Sequence, residues 1–87
     1  MRFKVGDRVA LTKDGRAHFR NDPDFIGACA TVRAIHNDCC ACEFDFTNKH
    51  WLHRCNGECA SLRGRYLKEY EIELAHSFEI ANIAEIL

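Results

Sequence analysis

Apolar and polar residues alternate along several short segments of this chain, and a two-residue period predicts β-strands. The clearest alternation runs from Cys39 to Phe46, where Cys40, Cys42, Phe44 and Phe46 fall on one face. The intervening residues of this segment are small or polar. We therefore expect a strand that turns one face toward the core and the other face away from it.

Four further segments predict strands, at residues 4–11, 28–35, 65–67 and 71–74. Two long polar connections, residues 13–27 and 47–64, separate them. In the first connection, Phe19, Phe25 and Ile26 are the apolar side chains that could pin it to the core. Five short strands and few helices predict an all-β fold, a small five-stranded barrel over residues 3–74.

The spacing of apolar residues changes in the tail, residues 75–87. They lie three and four positions apart, at Ile80, Ile83, Ala84 and Leu87. Ser77 is a suitable N-cap, so we predict a short helix that begins near Phe78. A helix of this length needs a docking surface, which is either the chain's own barrel or a contact such as a homodimer.

Length and charge narrow the class of protein. The chain has 87 residues, with 12 Lys and Arg against 13 Asp and Glu, so we expect one domain without the strongly basic balance of a dedicated nucleic-acid binder. We find neither an apolar run of membrane-spanning length nor the apolar stretch of a signal peptide at the N-terminus. We therefore expect a cytoplasmic protein without a membrane partner.

Six cysteines are many for such a chain, and in a reducing compartment thiols or a metal are expected rather than disulfides. His53, Cys55 and Cys59 are tentative zinc ligands, with the fourth ligand drawn from Cys39, Cys40 or Cys42. Against zinc, the two loop cysteines are separated by three residues rather than two. The alternative is a shaped loop, in which Gly57 permits a turn and His53 bonds to the backbone. No other cofactor is expected.

Catalysis by a thiol needs a nearby base and a group that orients it. The chain has histidines that could approach Cys55 or Cys59, but it carries no local signature of a thiol enzyme, and a domain this small leaves little room for a substrate cleft. We therefore predict that the protein is not an enzyme and has no catalytic residue.

The second connection is locally positive, and its basic and aromatic side chains are typical of a binding surface. Together with one aromatic residue of the first connection, the candidates are Phe19, Lys49, His50, Trp51, Arg54, Arg63 and Arg65. They suit a protein partner in the groove between the two connections. They also suit a nucleic acid bound to the positive loop, which strong salt dependence would reveal. A zinc-stabilised structural module is the third alternative.

Two groups of residues resemble known families. The segments 5–9 and 27–35 resemble the opening of barrels of the Src-homology-3 and KOW type, and residues 42–45 are similar to their third strand. The loop His53-x-Cys55-x-Gly57-x-Cys59, followed by Gly64-x-Tyr66, looks like a group of small phage and prophage proteins. This resemblance implies a protein that acts in the cytoplasm of a bacterial host cell. It would bind a host protein or complex, and inhibition of an antiviral defence system is one such role.

Overall fold

The five strands form one antiparallel sheet. The structure, a computed structural model, describes residues 1–75. Its strands are β1 (Arg8–Leu11), β2 (Cys29–Ile35), β3 (Cys40–Phe44), β4 (Gly64–Leu67) and β5 (Ile72–Leu74). Their order in the sheet is β4-β3-β2-β1-β5. The predicted five-stranded, mainly-β fold is confirmed, but the sheet is not closed, because no ladder joins its edges β4 and β5 within residues 1–75. The predicted tail helix and its dimer contact lie outside the described residues.

The sequence predicted only a long polar connection at residues 13–27, but this connection contains regular secondary structure. It begins with a short helix, α1 (Lys13–His18), and contains a 3₁₀ turn at Pro23–Phe25. The Thr12 hydroxyl accepts the Gly15 N–H at 3.2 Å and caps α1. A Cβ at Gly15 would collide with the Glu71 carbonyl oxygen. The helix is therefore stabilised by this close packing and not by the weak helix propensity of its residues.

The main core lies on one face of the sheet. It is formed by the buried residues Phe3, Val9, Leu11, Phe19, Phe25, Ala28, Ala30, Val32, Cys40, Cys42, Phe44, Leu52, Leu67 and Ile72. The rings of Phe19 and Phe25 stack at 3.9 Å and meet the Phe44 ring edge-on. Both side chains pin the first connection as expected, whereas Ile26 is 74% exposed and does not.

A second, smaller cluster covers the opposite face of β3. Ala41 is fully buried there against Cys55 and Cys59, with Ala34 and Tyr66 packed around them. The expectation that this face of β3 turns away from any core is therefore wrong at Ala41, because residues 55–59 fold over it. Among residues 1–75, no helix is long and apolar enough to cross a membrane.

Candidate functional site

The first part of the loop at residues 47–64 is held against the first connection. The Asn48 side-chain oxygen accepts the N–H groups of His50 and Trp51 at 3.0 and 2.9 Å. The Trp51 indole N–H donates to Asp22 at 3.1 Å, and the Asn48 amide donates to Asp24 at 3.3 Å. These bonds fix the two connections relative to each other and leave Trp51 half-buried.

The middle of the loop is a left-handed turn. Cys55, Asn56 and Gly57 have φ values of 48°, 54° and 94°, a conformation that costs about 1–3 kcal/mol at a non-glycine residue. Packing on β4 holds it in place. A Cβ at Gly64 would lie 2.5 Å from the Cys59 Cβ and 2.9 Å from the Cys55 Sγ, so both thiols rest on the bare backbone of this glycine.

Burial makes these thiols weak acids. It raises the pKa of Cys55 to about 12 and also raises the pKa of Cys59 above its usual value. Only a thiolate is a strong nucleophile, so both side chains are neutral and poorly reactive near neutral pH. The predicted Gly57 turn is present, and the two cysteines serve as small apolar side chains within it.

The three tentative zinc ligands do not converge. His53 Nδ1 accepts the Cys55 backbone N–H at 2.9 Å, which is the backbone bond expected in the alternative to zinc. Cys40 and Cys42 belong to the main core on the other face of β3, with their sulfurs 3.5 Å apart. In the described part of the chain, no group of three or more His, Cys, Asp or Glu side chains could hold a metal ion. A zinc site stays a prediction from the sequence, without support from this geometry.

A partly buried polar network behind the loop was not predicted from the sequence. Arg65 Nε donates to His18 Nε2 at 2.9 Å, so the proton of the neutral imidazole resides on Nδ1 and is donated to Glu71 at 2.7 Å. The other Glu71 oxygen accepts the Lys68 N–H at 2.8 Å. The network joins α1 to β4 and to the 3₁₀ turn Glu69–Glu71. Both ring nitrogens of His18 are engaged, so its role is structural.

Four of the seven predicted binding residues are buried or half-buried: Phe19, Trp51, Arg63 and Arg65. Phe19 has no exposed surface, so its predicted contact with a partner is incompatible with the structure; the ring fills the core instead. Arg63 Nε donates to the Phe44 carbonyl at 3.0 Å, and the Arg65 guanidinium donates to the Trp51 carbonyl at 3.1 Å. Lys49, His50 and Arg54 are exposed. The cationic surface is therefore smaller than the sequence suggested.

The exposed side of the left-handed turn borders two shallow depressions that meet at Asn56. One is lined by His53, Arg54, Asn56 and Gly57, and the other by His36, Cys39, Asn56 and Tyr66. One oxygen of Glu58 accepts from the Tyr66 hydroxyl at 3.3 Å and lies 2.8 Å from His36 Nε2. His36, Asn56 and Tyr66 were not predicted to be neighbours, because they lie in three segments that are far apart in sequence.

Comparisons with protein-family models, with curated proteins and with solved structures found no match to this chain. The class of the protein therefore follows from its own geometry. It is a small mainly-β protein in which one ordered loop displays cationic and histidine side chains.

Proposed function

We propose that this protein is a non-enzymatic binding module that engages a protein partner through the exposed side of the loop at residues 47–64. The proposal is supported by the geometry of this loop. The loop is held in one conformation, while the side chains on its outer side remain exposed. Asn48 and Trp51 hold its first part, and Cys55 and Cys59 hold its middle. A preordered loop loses less conformational entropy on binding than a disordered one.

The strand order β4-β3-β2-β1-β5, with a 3₁₀ turn between β4 and β5, is consistent with the Src-homology-3-like class that the sequence resembles. A barrel-like curvature of the sheet is part of this proposal. The phage-type resemblance of the loop suggests a host protein or complex in the bacterial cytoplasm as the partner, and an antiviral defence system is one candidate.

A protein partner suits the charges better than a nucleic acid does. Binding to a phosphate backbone needs several cations that converge, but Arg63 and Arg65 donate to the backbone carbonyls of Phe44 and Trp51. Asp22 and Asp24 bond to Trp51 and Asn48 and place negative charge beside the first part of the loop. The remaining exposed cations can complement an acidic patch on a protein.

Affinity capture with the full chain from a bacterial lysate tests the proposal. The variant Lys49→Ala/Arg54→Ala removes two exposed cations of the loop, and Lys13→Ala/Arg20→Ala removes two exposed cations elsewhere as a charge-matched control. We expect the loop variant to recover about one tenth or less of the partner, and the control to recover it fully. Equal recovery by both variants would contradict the proposal. Capture that nuclease abolishes, with a steep loss on added salt, would indicate a nucleic acid instead.

A further inference from the structure

The first part and the middle of the loop at residues 47–64 differ in their balance of charge. In the first part, Lys49 is next in sequence to Asn48, whose amide bonds to Asp24. In the middle, Arg54 is exposed and forms no ion pair with any residue from 1 to 75. The nearest acid in sequence, Glu58, has one oxygen engaged by the Tyr66 hydroxyl. The positive charge of Arg54 is therefore not offset by an ion pair within residues 1–75.

A second donor borders the same depression. His53 Nδ1 accepts the Cys55 N–H, so the proton of the neutral imidazole must reside on Nε2. The His53 side chain is exposed, and this N–H has no bond within the described residues. The depression lined by His53, Arg54, Asn56 and Gly57, named here the turn site, thus combines a guanidinium with an imidazole donor and contains no acidic side chain.

The turn site is also held in shape. Its backbone is the left-handed turn, which is fixed because Cys55 and Cys59 rest on Gly64. The Gly57 N–H and the Cys59 N–H both donate to the Arg54 carbonyl, at 2.9 and 3.0 Å. The backbone that carries both donors is therefore in place before any ligand arrives.

We propose that the turn site binds a carboxylate, supplied by an Asp or Glu side chain of the protein partner. This inference rests on the proposed function and names the chemistry of the contact. A carboxylate can accept two parallel hydrogen bonds from the Arg54 guanidinium and a third from His53 Nε2. One cation and one neutral donor suit a single carboxylate, whereas a nucleic-acid backbone presents a row of charges that one guanidinium cannot neutralise.

The test is an NMR titration of the full chain with a hexaglutamate peptide, with hexaglutamine and inorganic phosphate as comparison ligands. We expect saturable shifts confined to the backbone amides of residues 53–57 and to the His53 ring. Arg54→Gln should weaken the binding about tenfold, as expected for the loss of a charge-assisted hydrogen bond. Arg20→Gln, with the same charge change in the first connection, should leave it unchanged.

His53→Asn is a second variant that separates binding from folding. The asparagine oxygen can replace Nδ1 as acceptor of the Cys55 N–H, while the Nε2 donor is lost. We expect about threefold weaker binding with the amide signals of residues 55–59 unchanged. Shifts spread over all exposed cations, equal binding of hexaglutamine, or tighter binding of phosphate at the turn site would each overturn the assignment.

The failure of this inference can be told apart from failure of the proposed function. If the chain captures its partner through Lys49 and Arg54 but does not bind hexaglutamate at the turn site, the binding module stands and the carboxylate assignment is overturned. If hexaglutamate binds and Arg54→Gln abolishes that binding without reducing partner capture, the turn site is a carboxylate site, but the partner binds elsewhere.

Discussion

The two faces of β3 are both buried, but by different means. On the inner face, Phe44 packs against Phe19 and Phe25, whose ring centroids lie 5.8 and 5.4 Å from its own. On the outer face, Ala41 packs with the small side chains of Cys55 and Cys59, and Ala34 and Tyr66 lie against this cluster. Burial of a large apolar side chain contributes about 1.5–3 kcal/mol, whereas alanine and cysteine bury far less area.

This difference assigns a separate task to each face. The inner face, named here the aromatic face, stabilises the sheet as a whole, because side chains from every strand pack there. The outer face, named here the thiol face, contributes little to global stability, but it holds in place the turn that carries His53 and Arg54. Damage to the inner face should therefore unfold the protein, and damage to the outer face should disorder the loop at residues 47–64 first.

The largest effect is expected at the centre of the aromatic face. Phe44→Ala should lower the free energy of unfolding by about 3–5 kcal/mol, because it removes ring contacts and leaves a cavity. Urea unfolding followed by tryptophan fluorescence measures this change. Tyr70→Ala is the control, since this ring is 64% exposed and should change stability by less than about 0.5 kcal/mol. A cost below about 1 kcal/mol for Phe44→Ala would mean that the two faces do not differ as described.

The next effect tests the outer face alone. Gly64→Ala should cost about 1–3 kcal/mol, because the new Cβ collides with Cys59. Native-state alkylation of Cys55 and Cys59 should become at least about tenfold faster as the loop lifts away, with Cys40 and Cys42 still protected. Cys59→Gly in the same chain removes the opposing Cβ and should recover part of the lost stability. Unchanged reactivity in Gly64→Ala would show that the loop does not depend on this contact.

Replacing one buried cysteine by alanine on each face of β3 compares directly how much each face contributes to stability. Cys40 and Cys55 are both fully buried, yet Cys40 lies in the aromatic core and Cys55 under a loop. We expect Cys40→Ala to cost about 1–2 kcal/mol and Cys55→Ala about half as much, because a loop can collapse into the space more readily than a packed core. Thermal unfolding measures both. An equal or greater cost at Cys55 would reverse the ranking of the two faces.

The smallest effect concerns the hydrogen bond between Ala60 and Glu43, which attaches the loop at residues 47–64 to β3. Glu43 accepts the Ala60 N–H at 2.6 Å and a hydrogen bond from Arg33 at 2.9 Å, and these bonds hold the pKa of its carboxyl below the usual 4.5. A carboxyl whose pKa is lower in the folded state stabilises the fold above pH 4.5, and the contribution is lost as the pH falls through the folded-state pKa. Glu43→Gln should therefore cost about 1 kcal/mol at pH 7.

Chemical unfolding at several pH values tests the sign of this effect. The difference between the native chain and Glu43→Gln should shrink once the pH drops below 4.5 and disappear when the native carboxyl is protonated. Glu73→Gln, at an exposed position of β5, should change stability by less than about 0.5 kcal/mol. A difference that stays constant across the acid range would show that the ionised carboxyl does not stabilise the loop.

Much of the sheet could be predicted from the sequence. The alternation from Cys39 to Phe46 correctly predicted β3 and the inward direction of Cys40, Cys42 and Phe44. A period of two residues is a local property of an extended chain, so it can be recognised without knowledge of the fold. Gly57 was likewise recognised as a turn residue, since a positive φ favours glycine wherever it occurs.

The tertiary structure alone decided the outer face and the site. Alternation shows which side chains share a face of β3, but it does not show that residues 55–59 cover Ala41. The bond from Arg65 to His18 joins residues far apart in sequence, and so do the bond from His18 to Glu71 and the bond from Arg63 to the Phe44 carbonyl. Such bonds leave no mark on local patterns, because they depend on which segments the folded chain brings together. The sequence by itself determined the strands and the number of cationic side chains, and long-range packing decided which of these cations stay exposed.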